Sequence, residues 1–296
     1  MFYKNWMSYI KDDVPITKVV MPGSHNSGTR KMISIACCQD GTAYEQFAYG
    51  VRSFCIKLNT TKFGNIVQSH AVIKGDRFEE MLKDIRQMMI DGPNEVFIFE
   101  IREYDDSQFG PFIFKSHVDT AKMNELMEKY IEPSKYAFTD FDDINKVTIG
   151  DIRNSGKRYI LYNYKAEYAY SVNIPFVNPW DPVMHGQKPE KFVRDVPLMY
   201  DKHKSDGFFS LQIQPTGSPG TQVGIKSPRK LDDMVRPHLK YIYDAIRNTP
   251  RYLDRANIIA GDFMTRDYEK SREIIKLNLD KNNVIEDKRD EFEQNL

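Results

Sequence analysis

Short runs of consecutive apolar residues, separated by longer amphipathic stretches, constrain the fold of this chain more than any other sequence feature. The runs Val96 to Phe99 and Ile258 to Ala260 are continuous rather than alternating, which is typical of strands buried on both faces. Between such runs, Phe78 to Asp91 places apolar side chains at helical spacing, and a Gly-Pro pair then ends the helix. This alternation predicts βα units and a mostly parallel sheet.

The same reading divides most of the chain into elements of one domain spanning 1–296, a length that fits a single α/β barrel. The predicted strands are Ile16 to Met21, Val51 to Leu58, Asn65 to Ser69, Val96 to Arg102, Arg158 to Tyr164, Phe208 to Gln214 and Asn257 to Gly261. The predicted helices are Phe78 to Asp91, His117 to Tyr130, Lys230 to Asn248 and Asp267 to Leu279. The mostly charged segment 285–296 predicts a frayed, solvated tail.

Charge and composition exclude several classes of protein. Forty-two Lys and Arg residues balance 42 Asp and Glu residues, which argues against a nucleic-acid partner and against a strong polybasic membrane anchor. A hydrophobic content of 41% excludes a disordered chain. Three cysteines, Cys37, Cys38 and Cys55, are too few and too irregular for a disulfide framework, so they are predicted to be ordinary thiols.

Targeting signals are missing from the sequence. No apolar run reaches the length of a membrane helix, and the amino terminus lacks the pattern of a signal peptide. The expectation is a cytoplasmic protein as written, or a secreted one if a signal peptide has been removed.

Chemically capable side chains follow several predicted strands at the end where parallel barrels carry their active sites. His25, Lys57, His70, Arg102 and Asp262 all occupy such positions. Paired histidines suit acid–base chemistry near neutral pH, and cations stabilise negative charge that forms on a phosphorus centre. The pattern indicates phosphoryl transfer. No metal-binding motif accompanies it, so neither a metal nor another cofactor is predicted.

Four segments carry a resemblance to a known family: Val20 to Thr29, Tyr49 to Lys57, Ile66 to His70 and Asn94 to Arg102. In order and spacing they resemble the catalytic segments of phosphatidylinositol-specific phospholipase C, the X domain, in its bacterial single-domain form. The resemblance is strong over 16–104 and returns at 258–262. It implies an α/β fold, namely a distorted TIM (β/α)8-type barrel.

The resemblance also implies a reaction and its residues. His25 resembles the general base that takes the proton of the inositol 2-hydroxyl, and His70 resembles the general acid that protonates the departing diacylglycerol oxygen. Asp262 resembles the carboxylate that orients the first histidine. The implied products are diacylglycerol and a cyclic inositol phosphate. The implied partners are a phosphoinositide or related phospholipid and, transiently, a membrane surface, and the protein is expected to be a monomer.

The sequence departs from the family at positions that bear on catalysis. Metal-independent bacterial members have Asp where this chain has Asn26, and Asp-x-Arg where it has Cys55-Ile56-Lys57. Calcium-dependent members have the Asn but carry carboxylates at the second strand. Asn26 is therefore expected to orient His70 by a hydrogen bond alone. Lys57 is expected to supply the positive charge without a metal.

Substrate binding is predicted at Arg102, Asp181, Lys165 and Tyr200. Two other functions stay open at this point. One is a glycerophosphodiesterase-type barrel, although such an enzyme needs carboxylates where this chain has Cys55 and Lys57. The other is a barrel without catalytic activity that binds phospholipid headgroups, which the same departures allow.

Overall fold

The computed structural model describes residues 2–103, 106–109, 112–115, 118–179, 183–184, 188–217 and 227–296. The strands are β1 Met21–Ser24, β2 Ser53–Thr60, β3 Ile66–His70, β4 Ile73–Arg77, β5 Phe97–Glu103, β6 Asp106–Phe109, β7 Phe112–Lys115, β8 Tyr159–Tyr162, β9 Phe176–Val177, β10 Val183–Met184, β11 Phe208–Gln212, β12 Thr216–Gly217 and β13 Ile258–Gly261. The α-helices are α1 Ala43–Ala48, α2 Phe78–Asp91, α3 Thr120–Ile131, α4 Pro133–Tyr136, α5 Ile149–Asn154, α6 Pro189–Asp195, α7 Met199–Lys202, α8 Pro228–Val235, α9 Lys240–Arg247, α10 Pro250–Arg255, α11 Glu269–Asp280 and α12 Arg289–Asn295. Short 3₁₀ helices span Phe2–Lys4, Trp6–Tyr9, Ile16–Lys18, Ile144–Lys146, Arg236–His238 and Glu286–Lys288.

The main sheet is built from parallel strands in the order β8-β5-β2-β1-β13-β11-β9. Strands β3 and β4 form an antiparallel hairpin on the carboxyl-terminal half of β2. Between β8 and β9 the contact is made by Tyr162, which forms an isolated parallel bridge with Val172 and stacks on Phe176 at 4.7 Å. The result is a distorted TIM-type barrel that backbone pairing among the described strands does not fully close. This confirms the predicted fold class.

Strand β5 shows why its apolar run is continuous. Phe97, Phe99 and Ile101 pack outward against the helices, in a core shared with α2 and α3. Ile98 faces the inside of the barrel, where it joins the side chains of neighbouring strands. Successive side chains of a strand point to opposite faces, so a strand covered on both faces needs apolar residues at consecutive positions. The prediction of a strand buried on both faces is confirmed.

The amino and carboxyl termini together close the floor of the barrel. Trp6 is fully buried and donates its indole N–H to the carbonyl of Gly50 at 2.9 Å. Phe292 in α12 is also fully buried, with its ring against those of Phe2 and Tyr9. The prediction of a frayed tail over 285–296 is therefore wrong. One apolar face on a mostly charged segment is enough to dock a short helix.

Some predicted elements differ from the observed ones for local reasons. The predicted strand at Ile16 to Met21 is a 3₁₀ turn that leads into β1, and its apolar side chains are buried without strand pairing. The predicted helix from Lys230 to Asn248 is broken between α8 and α9. Pro237 lies at the break, and a proline inside a helix removes a hydrogen bond and clashes with the preceding turn.

Strand β4 and the short strands β6, β7, β9, β10 and β12 were not predicted, because each is brief or polar. The boundaries of most other predicted strands and helices move by one to three residues. Within the described residues, no helix combines the length and the apolar character needed to cross a bilayer.

Candidate active site

A cavity of about 170 Å³ opens at the carboxyl-terminal ends of the parallel strands. The five residues that strand-end position singles out all line it: His25, Lys57, His70, Arg102 and Asp262. The register explains part of this convergence, because Lys57 of β2 lies opposite Arg102 of β5, and both side chains point inward. The structure thus brings together the residues that sequence position alone proposed to be neighbours.

His25 and Asp262 are in direct polar contact in the cavity. Nδ1 of His25 lies 2.8 Å from Oδ1 of Asp262, whose side chain is 4% exposed. With the proton on Nδ1, His25 donates to the carboxylate and keeps the lone pair of Nε2 for another group. Burial, followed by the charges of Lys57 and Arg102, holds the pKa of His25 well below its usual range. The imidazole is therefore neutral, as a general base must be.

Asp262 is itself set in a charged environment. Burial raises the pKa of its carboxyl group, while the charges of Lys270 and Lys57 act in the opposite direction. Lys270 Nζ lies 2.5 Å from the Asp262 backbone carbonyl and also donates to Asp232. The buried ion pair of Lys270 and Asp232 thus holds the backbone of Asp262 in place.

His25, His70 and Asp262 are each followed directly by a residue with positive φ. The φ angles are 47° at Asn26, 52° at Ala71 and 51° at Phe263. The left-handed region is unfavourable for alanine and phenylalanine, and such strain concentrates at functional sites. These sharp turns let His25, His70 and Asp262 leave their strands and face one cavity.

His70 is oriented by a backbone carbonyl. Its Nδ1 lies 2.9 Å from the carbonyl oxygen of Ala36, so Nδ1 is the donor and Nε2 faces elsewhere. Burial and the charge of Lys57 lower the pKa of His70 to about 4. Asn26 was predicted to orient His70, but the hydrogen-bond partner of His70 Nδ1 is the carbonyl of Ala36. The buried Asn26 amide donates to Sγ of Cys38 at 3.5 Å, and its Oδ1 has no partner among the described residues.

Positive charge in the cavity comes from Lys57 and Arg102. Lys57 is 4% exposed, and its charge lowers the pKa of both histidines. Arg102 is an ion-pair partner of buried Glu100, to which its Nε donates at 2.7 Å. Asn178 donates to the same carboxylate at 3.3 Å. Glu100 therefore offsets the charge of Arg102.

Gln39 was missed by the sequence reading. Its amide nitrogen donates to the carbonyls of His25 at 2.8 Å and Gly261 at 2.9 Å, and its Oε1 accepts from the backbone N–H of Met264 at 3.1 Å. This buried side chain ties the loop after β1 to the loop after β13. A glutamine in a loop has no sequence signal that would reveal such a role.

The four residues predicted to bind substrate differ in where they lie relative to the cavity. Arg102 lines the cavity, and Asp181 lies outside the described residues. Tyr200 is fully buried in the outer core, with its ring 4.9 Å from that of Phe209. It therefore lies outside the cavity where it was predicted to bind substrate. Lys165 is not among the described residues that line the cavity; it pairs with Glu167 at 3.6 Å on a loop after β8.

Several solved structures share the fold of this chain. No model of a known protein family matches the sequence. The phosphatidylinositol-specific phospholipase C of Listeria monocytogenes matches with a TM-score of 0.67 at 18% identity, over 93% of this chain and 98% of that chain.

A double mutant of the phosphatidylinositol-specific phospholipase C of Staphylococcus aureus matches with a TM-score of 0.63 at 18% identity, over 96% of this chain and 98% of that chain. A further structure of the Staphylococcus aureus enzyme, from work on its membrane binding, has a TM-score of 0.62 at 17% identity over 94% and 97% of the two chains. The chain therefore has the fold of the bacterial phosphatidylinositol-specific phospholipases C.

Proposed function

We propose that this protein cleaves the phosphodiester bond of inositol phospholipids as a phospholipase C-type lyase. The observation that carries the proposal is the arrangement of His25, held by Asp262, and His70 around one cavity that also contains the charge of Lys57. The shared fold with bacterial phosphatidylinositol-specific phospholipases C supports the choice of substrate.

The reaction follows from the proton positions. Nε2 of His25 accepts the proton of the inositol 2-hydroxyl, and the hydroxyl oxygen attacks phosphorus within the same molecule. The bond from phosphorus to the diacylglycerol oxygen breaks, and Nε2–H of His70 protonates that oxygen. The products are a cyclic inositol phosphate and diacylglycerol. Intramolecular attack requires little beyond alignment and charge stabilisation.

The low pKa of His70 sets a condition on this mechanism. A general acid must hold a proton, and burial together with Lys57 opposes that. A phosphodiester bound beside His70 brings a negative charge, which favours the protonated imidazole and offsets the effect of Lys57. His70 is therefore proposed to become an effective acid only with substrate bound.

We propose that the reaction needs no divalent metal. Lys57 lies at the β2 position where a metal ligand would be required, and Glu100 is already bound by Arg102 and Asn178. The Lys57 ammonium occupies that position and supplies positive charge to the phosphate.

We also propose that the loop carrying Ile33 and Ile35 contacts the lipid surface. Both side chains are strongly exposed, at 58% and 63%, and Ile35 also lines the cavity. Exposed apolar residues at the rim of a site are suited to insertion into a membrane surface. Serine at both positions should reduce sedimentation with phosphatidylinositol vesicles. Ile90→Ser, at an equally exposed position on α2, is the matched control.

The test of the proposed activity is the conversion of phosphatidylinositol in mixed micelles, followed by ³¹P NMR for the cyclic phosphate. His25→Ala and His70→Ala should each lower turnover by about 10²–10⁴-fold, with unchanged thermal unfolding. His203→Ala, outside the cavity lining, is the control. Binding of the lipid by the unmodified protein without any cyclic product would instead favour a headgroup-binding barrel.

A further inference from the structure

A second set of potential ligands lies in the cavity beside the proposed phosphodiester site. One ligand atom each of His25, Cys38 and Asp262 lies within 4.8 Å of the others. The set combines an imidazole nitrogen, a thiol sulfur and a carboxylate oxygen, which are the three donor types that zinc binds in proteins. The proposed acid–base chemistry uses two of these residues and leaves the thiol of Cys38 without a role.

We propose that His25, Cys38 and Asp262 form a binding site for a thiophilic divalent cation such as Zn²⁺, and that the ion inhibits the enzyme. Occupancy of the site is independent of the activity proposed above, whereas the inhibition rests on that proposed function. The metal has no part in the phosphodiester cleavage itself.

The backbone around the three ligands is already tied together. The N–H of Cys38 donates to Oγ1 of Thr29 at 3.0 Å, and the carbonyl of Cys38 accepts from the N–H of Phe263 at 2.8 Å. The second bond joins Cys38 directly to the residue after Asp262. Gln39 links the same two loops. The ligands therefore come from segments whose spacing is fixed before any ion binds.

The geometry is close to what a four-coordinate ion needs. Bond lengths of about 2.0–2.3 Å place tetrahedral ligands roughly 3.3–3.8 Å apart. A cluster within 4.8 Å thus needs a contraction of about 1 Å, which side-chain rotations can provide. The open cavity leaves the fourth position to water or to a phosphate oxygen of a bound ligand.

The positions of the protons after metal binding explain why the ion would inhibit the proposed cleavage. The thiol of Cys38 loses its proton to solvent when sulfur binds the metal. If the ion binds Nδ1 of His25, the imidazole proton moves to Nε2, which then has no lone pair for the substrate hydroxyl. If the ion instead binds Nε2, the metal itself occupies the lone pair of that nitrogen. Either way His25 no longer acts as a base.

The experiment uses Co²⁺ as a spectroscopic substitute for Zn²⁺, added to the full chain without substrate. A thiolate-to-cobalt charge-transfer band should appear at one equivalent and disappear when Zn²⁺ is added. Cys38→Ser should abolish the band. Cys37→Ser and Cys55→Ser should retain it, because their sulfur atoms lie outside the cluster.

Zn²⁺ affinity, measured by competition with a chromophoric chelator, should fall by at least about 100-fold in Cys38→Ser, since even outer-shell changes cost 10–100-fold. Asp262→Asn should weaken it as well, and this variant keeps the test usable if Cys38→Ser does not fold. A band that persists in Cys38→Ser, or its absence from the unmodified protein, would overturn the metal site.

Inhibition is a separate measurement. Zn²⁺ should stop cleavage of phosphatidylinositol by the unmodified protein, EDTA should restore it, and Cys37→Ser should respond in the same way. If the protein binds Co²⁺ and Zn²⁺ but has no activity to inhibit, the proposed function fails while the metal site stands. An active protein that binds one Zn²⁺ through Cys38 and keeps its full rate would refute the inhibition.

Discussion

Replacing Lys57 by methionine tests the electrostatic part of the proposed mechanism most directly. Methionine keeps most of the length of the side chain and removes the charged ammonium group. Lys57 is 4% exposed and lies in the cavity with both histidines, so its charge acts with little screening by solvent. The substitution should therefore change catalysis more than folding.

The expected loss can be worked out from Coulomb's law. A unit charge about 4 Å from a phosphate oxygen contributes roughly 4 kcal/mol at an effective dielectric constant near 20. At about 1.4 kcal/mol per factor of ten, this corresponds to a decrease of kcat/KM by about 10³. KM should rise by less than about tenfold, because the interaction strengthens mainly as negative charge develops in the transition state.

The pH profile provides an independent signature of the same change. Lys57 lowers the pKa of His25 and of His70. Without its charge both pKa values rise, so both limbs of kcat/KM against pH should move to higher pH. A lysine that only fills space would reduce the rate without moving the limbs.

The assay is the steady-state release of cyclic inositol phosphate from phosphatidylinositol micelles between pH 4 and 9, with and without EDTA. Lys146→Met, at a side chain that is 85% exposed, controls for the loss of one positive charge. A Lys57→Met variant with kcat within tenfold of the unmodified protein would refute the reasoning. So would a rate that collapses in EDTA and returns with calcium.

A phospholipid whose headgroup has no hydroxyl next to the phosphodiester, such as phosphatidylcholine, should resist cleavage; rapid release of phosphocholine would exclude intramolecular attack. Gln39→Ala should lower kcat with little change in KM, because the loops that carry His25 and Asp262 lose their link; an unchanged kcat would refute this. Glu95→Gln should cost about 3–5 kcal/mol in urea unfolding, since it leaves the charge of Arg52 buried without its 2.7 Å partner. Asp254→Asn, in an exposed pair, should cost at most about 1 kcal/mol, and equal losses would contradict the role of burial.

The sequence predicted the parts of the fold that depend on long apolar patterns. Helix α2 has the predicted bounds, because its six buried side chains recur at helical spacing up to a clear stop signal. The bounds of strand β5 were predicted within one residue, because its apolar run is continuous. The break at Pro237 was overlooked because amphipathic spacing continues on both sides of it, while the proline removes one hydrogen bond.

The site was predictable where position along a strand determines direction. His25, Lys57, Arg102 and Asp262 follow from strand ends alone, since parallel strands deliver their carboxyl-terminal residues to one rim. His70 lines the same cavity from the end of the antiparallel strand β3. Hydrogen bonds from a side chain to a backbone group leave no comparable pattern in the sequence. The partner of His70 is a carbonyl of Ala36, and any residue type can supply a carbonyl. Tyr200 was misplaced because its sequence pattern does not distinguish a buried ring from a ring that binds substrate.

The two histidines are held by unlike partners, and this difference supports the assignment of their roles. His25 donates to a carboxylate, whose charge can stabilise the imidazolium that forms when Nε2 takes a proton. His70 donates to a neutral carbonyl, which orients the ring but offers less stabilisation of positive charge. Judged by the hydrogen-bond partner at Nδ1 alone, His70 is the ring that holds a second proton less firmly. Reversing the roles would require the less stabilised ring to gain the proton and the better stabilised one to release it. The unlike hydrogen-bond partners thus support the proposal of His25 as the base and His70 as the acid, with Asp262 as the partner that distinguishes the two histidines.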